Sequence, residues 1–198
     1  MRLIDLNAAD EPQRHAAARI LRRALAHVPS AWHTDSSARA EVDSFAGNAE
    51  RIALLALEGD AVRGWIGAIR HTRFAWELHP LVVDPAFQRQ GWGTRLVTAL
   101  EQAARAEGVI TIWLGSDDDF GGTSLYGQDL YPDVLRKLAD LHATRGHPFT
   151  FYQRLGYTVT GVLPDVDGPG KHDIIMAKRL NPATPDSGAG RVFPPMDS

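Results

Sequence analysis

The chain has no cysteine. Disulfides, thiolate metal sites and a cysteine nucleophile are therefore excluded. It also lacks any apolar run approaching the ~20 residues that cross a bilayer, and its N-terminus shows no signal-peptide pattern. The expectations from these absences are no membrane partner and a cytoplasmic location. A large excess of either charge is missing too: 21 basic against 24 acidic residues leave a formal charge of −3. That balance offers no broad basic field for nucleic acid and suits a neutral or cationic small substrate. The histidines at His142, His147 and His172 lack ligand spacing, so no metal is expected. What is present is ordinary for a globular protein, 44% apolar and 23% charged residues. At 198 residues the chain is long enough for one domain with a substantial core.

Periodicity divides the chain into two halves. Arg2 to Leu6 reads as a first strand, and Glu11-Pro12 opens a helix to about His27, with Ala17, Ile20, Leu21, Ala24, Leu25 and Val28 on one side. Pro29 ends it, and Asp35 or Ser36 could cap a short helix reaching Phe45. Arg51–Leu57, Val62–Arg70 and Phe74–Val83 then form an antiparallel meander, with a hairpin turn at Gly59-Asp60. The second half begins with a helix from Thr94 to Glu107, closed by Gly108. The β-rich run Val109–Leu114 should lie parallel to Leu81–Val83, completing one right-handed βαβ crossover. An insertion from Gly115 to Gly146 carries Asp117, Asp118 and Asp119 and a helix from about Pro132 to His142. A short helix, Pro148–Leu155, precedes two closing strands, Tyr157–Leu163 and Asp173–Leu180, joined through the Asp167–Gly170 turn. Residues 1–180 thus read as a single α/β (α+β) domain. Residues 181–198, rich in Pro, Gly and Ser, read as a disordered tail.

The stretch Glu77–Thr94 carries the chemistry. An apolar strand ends at Asp84-Pro85, and a loop containing Gly91 and Gly93 leads into a helix start. Unpaired N–H groups and the helix dipole favour an anion there, and glycine removes the Cβ that would block a phosphate. Glu77 and His79, two apart on a strand, share one face. Pro80 removes a ladder hydrogen bond, so this strand must be bulged or must part from its neighbour. Parting leaves a wedge with free backbone groups that could pair with an amide-bearing ligand. A pantetheine arm on a pyrophosphate meets both demands, which points to acetyl-CoA.

Gln88-Arg89-Gln90-Gly91-Trp92-Gly93 matches the Gln/Arg-x-x-Gly-x-Gly/Ala signature of the GNAT N-acetyltransferase superfamily, and Phe151–Tyr157 resembles its second signature. Four stretches are similar to the aminoglycoside 6′-N-acetyltransferase branch. They are Trp76–Val83, Gly115–Asp118, His147–Phe149, and Gly161–Pro164 with Asp173–Lys178. The resemblance implies a mixed sheet of six to seven strands splayed between strands 4 and 5, and an amine that attacks the thioester directly in a ternary complex. It implies that Gln88, Arg89, Gln90, Gly91, Trp92, Gly93 and Thr94 hold the pyrophosphate, with Arg95 also available. Leu81, Val82 and Val83 would pair with the pantetheine, and the Leu81 region would stabilise the oxyanion. Tyr152 would protonate the departing thiolate, with Glu77 as base and His79 orienting or relaying. Trp32, Glu77, His79, Asp117 and Asp118 would face a polycationic acceptor. The branch is commonly dimeric, so a homodimer is expected.

Several readings stay open. Glu77 could instead pair with Arg70 or Arg73, Tyr152 could be plain core, and the Asp117–Asp119 run could be a capping cluster. The acceptor could be a polyamine or another small amine, or the chain could be a non-catalytic acetyl-CoA-binding module. Around Trp32, the segment Pro29–His33 departs from the branch, which has an aromatic and acidic wall there.

Overall fold

A computed structural model describes residues 1–181. Seven strands form one mixed sheet: β1 (Arg2–Asp5), β2 (Arg51–Glu58), β3 (Ala61–Arg70), β4 (Ala75–Val83), β5 (Thr111–Asp118), β6 (Thr158–Leu163) and β7 (His172–Arg179). Their order is β1-β2-β3-β4-β5-β7-β6. Helices α1 (Glu11–Ala24), α2 (Asp35–Asp43), α3 (Trp92–Ala106), α4 (Val134–Ala139) and α5 (Phe149–Arg154), with short 3-10 turns at Leu6–Ala8 and Pro85–Phe87, accompany the sheet. All neighbouring strands run antiparallel except β4 and β5, the parallel pair expected from the crossover. The tail anticipated from residue 181 lies, beyond Asn181 itself, outside the described residues.

Two cores flank the sheet. On one face α1 and α2 bury Ala17, Ile20, Leu21, Ala38 and Val42 against Leu55, Leu57 and Trp65. On the other, α3 buries Leu96, Val97, Leu100 and Ala104 against Ile66, Leu78, Ile112 and Leu114. The helical spacing read in the sequence is the spacing of these buried stripes. Boundaries moved where side chains decide them. The cap of α2 is Thr34, in a reciprocal capping box with Ser37, rather than Asp35 or Ser36. The helix placed at Pro132–His142 shortens to Val134–Ala139. Strand β5 does not stop at Leu114 but continues through Gly115–Asp118, because β7 offers a partner for every residue as far as Asp118↔His172. The supposed start of the insertion is therefore sheet.

The region around Pro80 departs from a regular ladder on both sides. Against β3 the register jumps from Ile66↔Leu81 to Ala68↔Leu78, so Gly67 faces two residues, His79 and Pro80. This is a bulge, and it absorbs the missing N–H of proline. Only glycine fits opposite it. A Cβ on Gly67 would lie 2.5 Å from the His79 carbonyl oxygen and 2.6 Å from the Phe45 ring. Against β5, β4 pairs only at Ala75↔Thr111, Trp76↔Ile112 and Glu77↔Trp113. From Leu78 onward it has no partner on that side, and the sheet opens into a wedge.

Candidate active site

Two cavities meet in this wedge. One, of about 670 Å³, is lined by Leu81, Val83, Gln88, Arg89, Gly91, Gly93 and Thr94, and on its far wall by Pro148, Phe151 and Tyr152. The other, of about 610 Å³, is lined by Trp32, His79, Pro80, Leu81, Val83, Ser116, Asp117, Phe120, Asp167 and Tyr152. Leu81, Val83, Gln88, Pro148 and Tyr152 belong to both. The first cavity is built for an anion. Gly91 caps α3 at φ 85° with no side-chain cap, and the first turn carries no acidic residue, so its N–H groups stay free. Arg89 is held at φ 63° beside it. Gln88 sends its side-chain amide to the Val83 carbonyl at 3.2 Å, tying the loop to the end of β4. Gln90 and Trp92 point elsewhere. The Gln90 amide donates to Ala86 O at 3.2 Å, and Trp92 is buried edge-on against Phe87.

Tyr152 sits where the cavities join. The six-residue α5 that carries it is too short to stand alone, and contacts fix it at both ends. At its start, His147 accepts the Phe149 N–H on Nδ1 at 3.2 Å and donates from Nε2 to Asp117 O at 3.0 Å. Burial holds this imidazole below its ordinary pKa, which suits the neutral form that the two bonds require. At its end, Lys178 donates to Leu155 O at 2.7 Å while pairing with buried Glu101 at 2.7 Å. Burial alone pushes the Tyr152 phenol well above its usual pKa, so it carries its proton throughout the physiological range.

The second cavity is acidic. Asp117 is raised above its ordinary pKa by burial first, then by Asp167 and Asp119. Asp173, opposite Asp117 across the β5–β7 ladder, lies flat over Gly115 in the space a Cβ would need. One of its oxygens is buried without a partner. Burial, then Asp117, Asp167 and Glu77 push it up to about 7, against a Ser116 N–H that pulls it down. Because this folded-state pKa lies above the ordinary aspartate value of 3.8, the group favours folding when protonated. That contribution is present below pH ~4 and is lost as pH rises to ~7. Asp173→Asn should therefore raise stability at pH 8 by about 1–3 kcal/mol and give no gain at pH 4. Thermal melts at the two pH values read this directly, and an equal shift at both would contradict it.

The structure brings together only part of the expected acceptor set. Trp32, His79 and Asp117 line the cavity, with the Trp32 and His79 rings 5.6 Å apart. Asp118 does not face it. Fully buried, it accepts the Gly122 and Thr123 N–H groups at 2.6 and 2.8 Å and so holds the following turn. Glu77 stands at the last rung before the wedge, but its carboxylate bonds His71 Nε2 at 2.7 Å rather than Arg70 or Arg73. Three groups escaped the sequence reading. Glu41 of α2 has Oε1 3.5 Å from His79 Nε2, and Arg51 pairs with the same oxygen at 3.3 Å. Burial raises the Glu41 pKa, but His79 and Arg51 together outweigh this and keep it below the ordinary range. Asp167 and Asp173 come from the closing hairpin. Asp167 lines the cavity, while Glu41 and Asp173 stand behind its residues His79 and Asp117; nothing in local spacing marks the three, since each comes from a distant element.

Comparison with known proteins adds identity to this geometry. An aminoglycoside 6′-N-acetyltransferase solved with coenzyme A is 39% identical, with 93% of this chain and 99% of that one covered at a TM-score of 0.83. The aminoglycoside 6′-N-acetyltransferase from Enterococcus faecium is 38% identical over the same shares, with a TM-score of 0.82. A [ribosomal protein bS18]-alanine N-acetyltransferase of Haemophilus ducreyi is 51% identical over 57 residues, 29% of this chain and 37% of that protein's length. The profile of the acetyltransferase (GNAT) family matches residues 16–128, which take in the splayed β4 and the whole glycine loop. With the parallel β4–β5 junction and the uncapped α3 inside the matched region, the chain belongs to the GNAT acetyltransferase family.

Proposed function

We propose that the protein moves an acetyl group from acetyl-CoA to a primary amine, the 6′-amine of an aminoglycoside being the acceptor the site suits best. The observation that carries this reading is the junction of an anion-binding cavity with a carboxylate-lined one at Leu81, Val83 and Tyr152. The two 6′-N-acetyltransferases similar over 93% of the chain, one of them holding coenzyme A, support the same acceptor and cosubstrate. In this reading the free N–H groups of α3 hold the pyrophosphate, and the β4 edge from Leu78 pairs with the pantetheine amides. The amine nitrogen attacks the thioester carbon, and backbone N–H near Leu81 stabilises the oxyanion. Collapse breaks the C–S bond, Tyr152 gives its proton to the sulfur, and the second proton shed by the new amide nitrogen restores the phenol. The proton leaving the ammonium goes to Glu77, through water, with His79 backed by Glu41 fixing the amine in the cavity. Asp117, Asp167 and Asp173 meet the remaining ammonium groups of a polycation, whose charge relieves their mutual repulsion.

Thiol release from acetyl-CoA, measured across aminoglycosides with and without a free 6′-amine, tests the proposal. Turnover confined to the 6′-amino compounds is the expected result. Turnover that ignores this amine, or appears only with polyamines, would replace the acceptor, and no turnover with any amine would favour a non-catalytic module.

A further inference from the structure

Two Glu–His pairs lie along β4, and only one belongs to the cavity wall. His79 lines it with Glu41 behind. The other pair, Glu77 with His71, stands at the apex of the wedge and has the shorter contact, 2.7 Å. The His71 ring also leans on Trp113 at 5.5 Å and 37°. Trp113 is the residue paired with Glu77 in the last parallel rung. Ring, carboxylate and rung thus form one clamp where the two strands separate. Both arginines beside it are engaged elsewhere. Arg70 bonds Glu107 and the Ala49 carbonyl, and Arg73 lies over Phe74.

We propose that His71 is the positioning residue for Glu77: its Nε2–H occupies Oε2 and leaves Oε1 to take the ammonium's proton through water. The proposal rests on the acetyl-transfer reading above. An arginine would grip both oxygens in a forked ion pair and hold the carboxylate strongly ionised. A single imidazole donor orients the group while leaving one oxygen able to take a proton. The ring is not core packing, since its side chain is 46% exposed. The charged groups around it are Glu50, Arg70, Arg73 and Glu107, which share a small surface cleft with His71, and Asp173 on the far side of Glu77.

The test separates orientation from bulk. His71→Phe keeps a ring on Trp113 and loses the donor, whereas His71→Gln keeps a donor. With acetyl-CoA and a 6′-amino aminoglycoside, H71F should lower kcat about tenfold while KM for acetyl-CoA changes less than about twofold. H71Q should regain most of that loss, and H71F combined with Glu77→Gln should be no slower than E77Q alone. An H71F enzyme as fast as wild type, or an H71Q enzyme as slow as H71F, overturns the assignment. A second readout does not depend on turnover. Long-range proton–nitrogen NMR of the His71 ring should show Nε2 protonated and Nδ1 bare, with the Nε2 signal moving in E77Q. A ring protonated at Nδ1 alone would overturn the clamp. A wild type that acetylates no 6′-amine, with the ring spectrum as expected, would instead fail the functional reading and leave the clamp standing.

Discussion

Tyr152→Phe is expected to lower kcat for acetyl transfer by about 10²-fold, with KM for acetyl-CoA nearly unchanged. Phenylalanine keeps the edge contacts to Phe151 and Tyr157, at 5.1 and 5.6 Å, and so preserves the packing of α5. It removes only the hydroxyl at the junction of the two cavities. The direction of the Tyr152 pKa matters here. A phenol raised by burial is a weaker acid than a free tyrosine, but the same dry pocket makes the departing thiolate a stronger base. Donor and acceptor move together, so transfer stays feasible. A second expectation follows from the sign: because the folded-state value lies above the ordinary one, Tyr152 cannot produce a fall in rate between pH 7 and 9. Stopped-flow or steady-state thiol release over that range checks both points. An unchanged kcat in the phenylalanine variant would assign the proton to another donor.

Gly67→Val should damage the fold severely, with a loss of about 3 kcal/mol or more in chemical denaturation. A side chain there meets the His79 backbone oxygen on one side and the Phe45 ring on the other. The ring could shift, although Phe45 is itself wholly buried and edge-on to Trp65 at 5.7 Å. The carbonyl could move only by flattening the bulge, which would rotate His79 and Leu81 together. Soluble variant protein should therefore lose acetyl-transfer activity even where it remains folded. Gly161→Val makes a fair comparison, since a Cβ at Gly161 meets only Ile175, at 3.9 Å. Equal stability of the two variants would show that the bulge tolerates a side chain.

Much of this architecture could be read from the chain because it follows from local rules. Apolar spacing marked α1 and α3, Gly59-Asp60 marked the first hairpin, and Gly108, at φ 78°, closed α3 as read. Pro80 signalled an irregular β4, bulged or parted from a neighbour, because its missing N–H is a physical defect wherever the strand lies; the structure has the bulge against β3, beside the opening from β5. The end of β5 was misjudged at Leu114, since whether Gly115–Asp118 is strand depends on β7, some sixty residues later. The same limit governs the site. The glycine loop is continuous in sequence, so its residues were found together. The second cavity is walled by the segment after α1, by β4 and β5 and by the β6–β7 hairpin, and a carboxylate such as Asp118 looks identical in sequence whether it faces a cavity or caps a turn. Only the fold shows that Asp118 is turned inward while Asp173 is turned toward its neighbours.

The brevity of the β4–β5 junction has a consequence for how the molecule opens. Strands β1–β4 and strands β5–β7 are two panels sewn along a seam of three residue pairs. The wide antiparallel ladders within each panel are expected to open as units, with the seam as the boundary between them. The amide of Thr111, which donates to Phe74 O across the seam, should then exchange with solvent through an opening smaller than global unfolding. Any molecule lying in the gap touches both panels and lengthens the seam. In the proposed pose the cosubstrate is thus a removable eighth strand, and the halves are held most firmly together while the acetyl group waits between them.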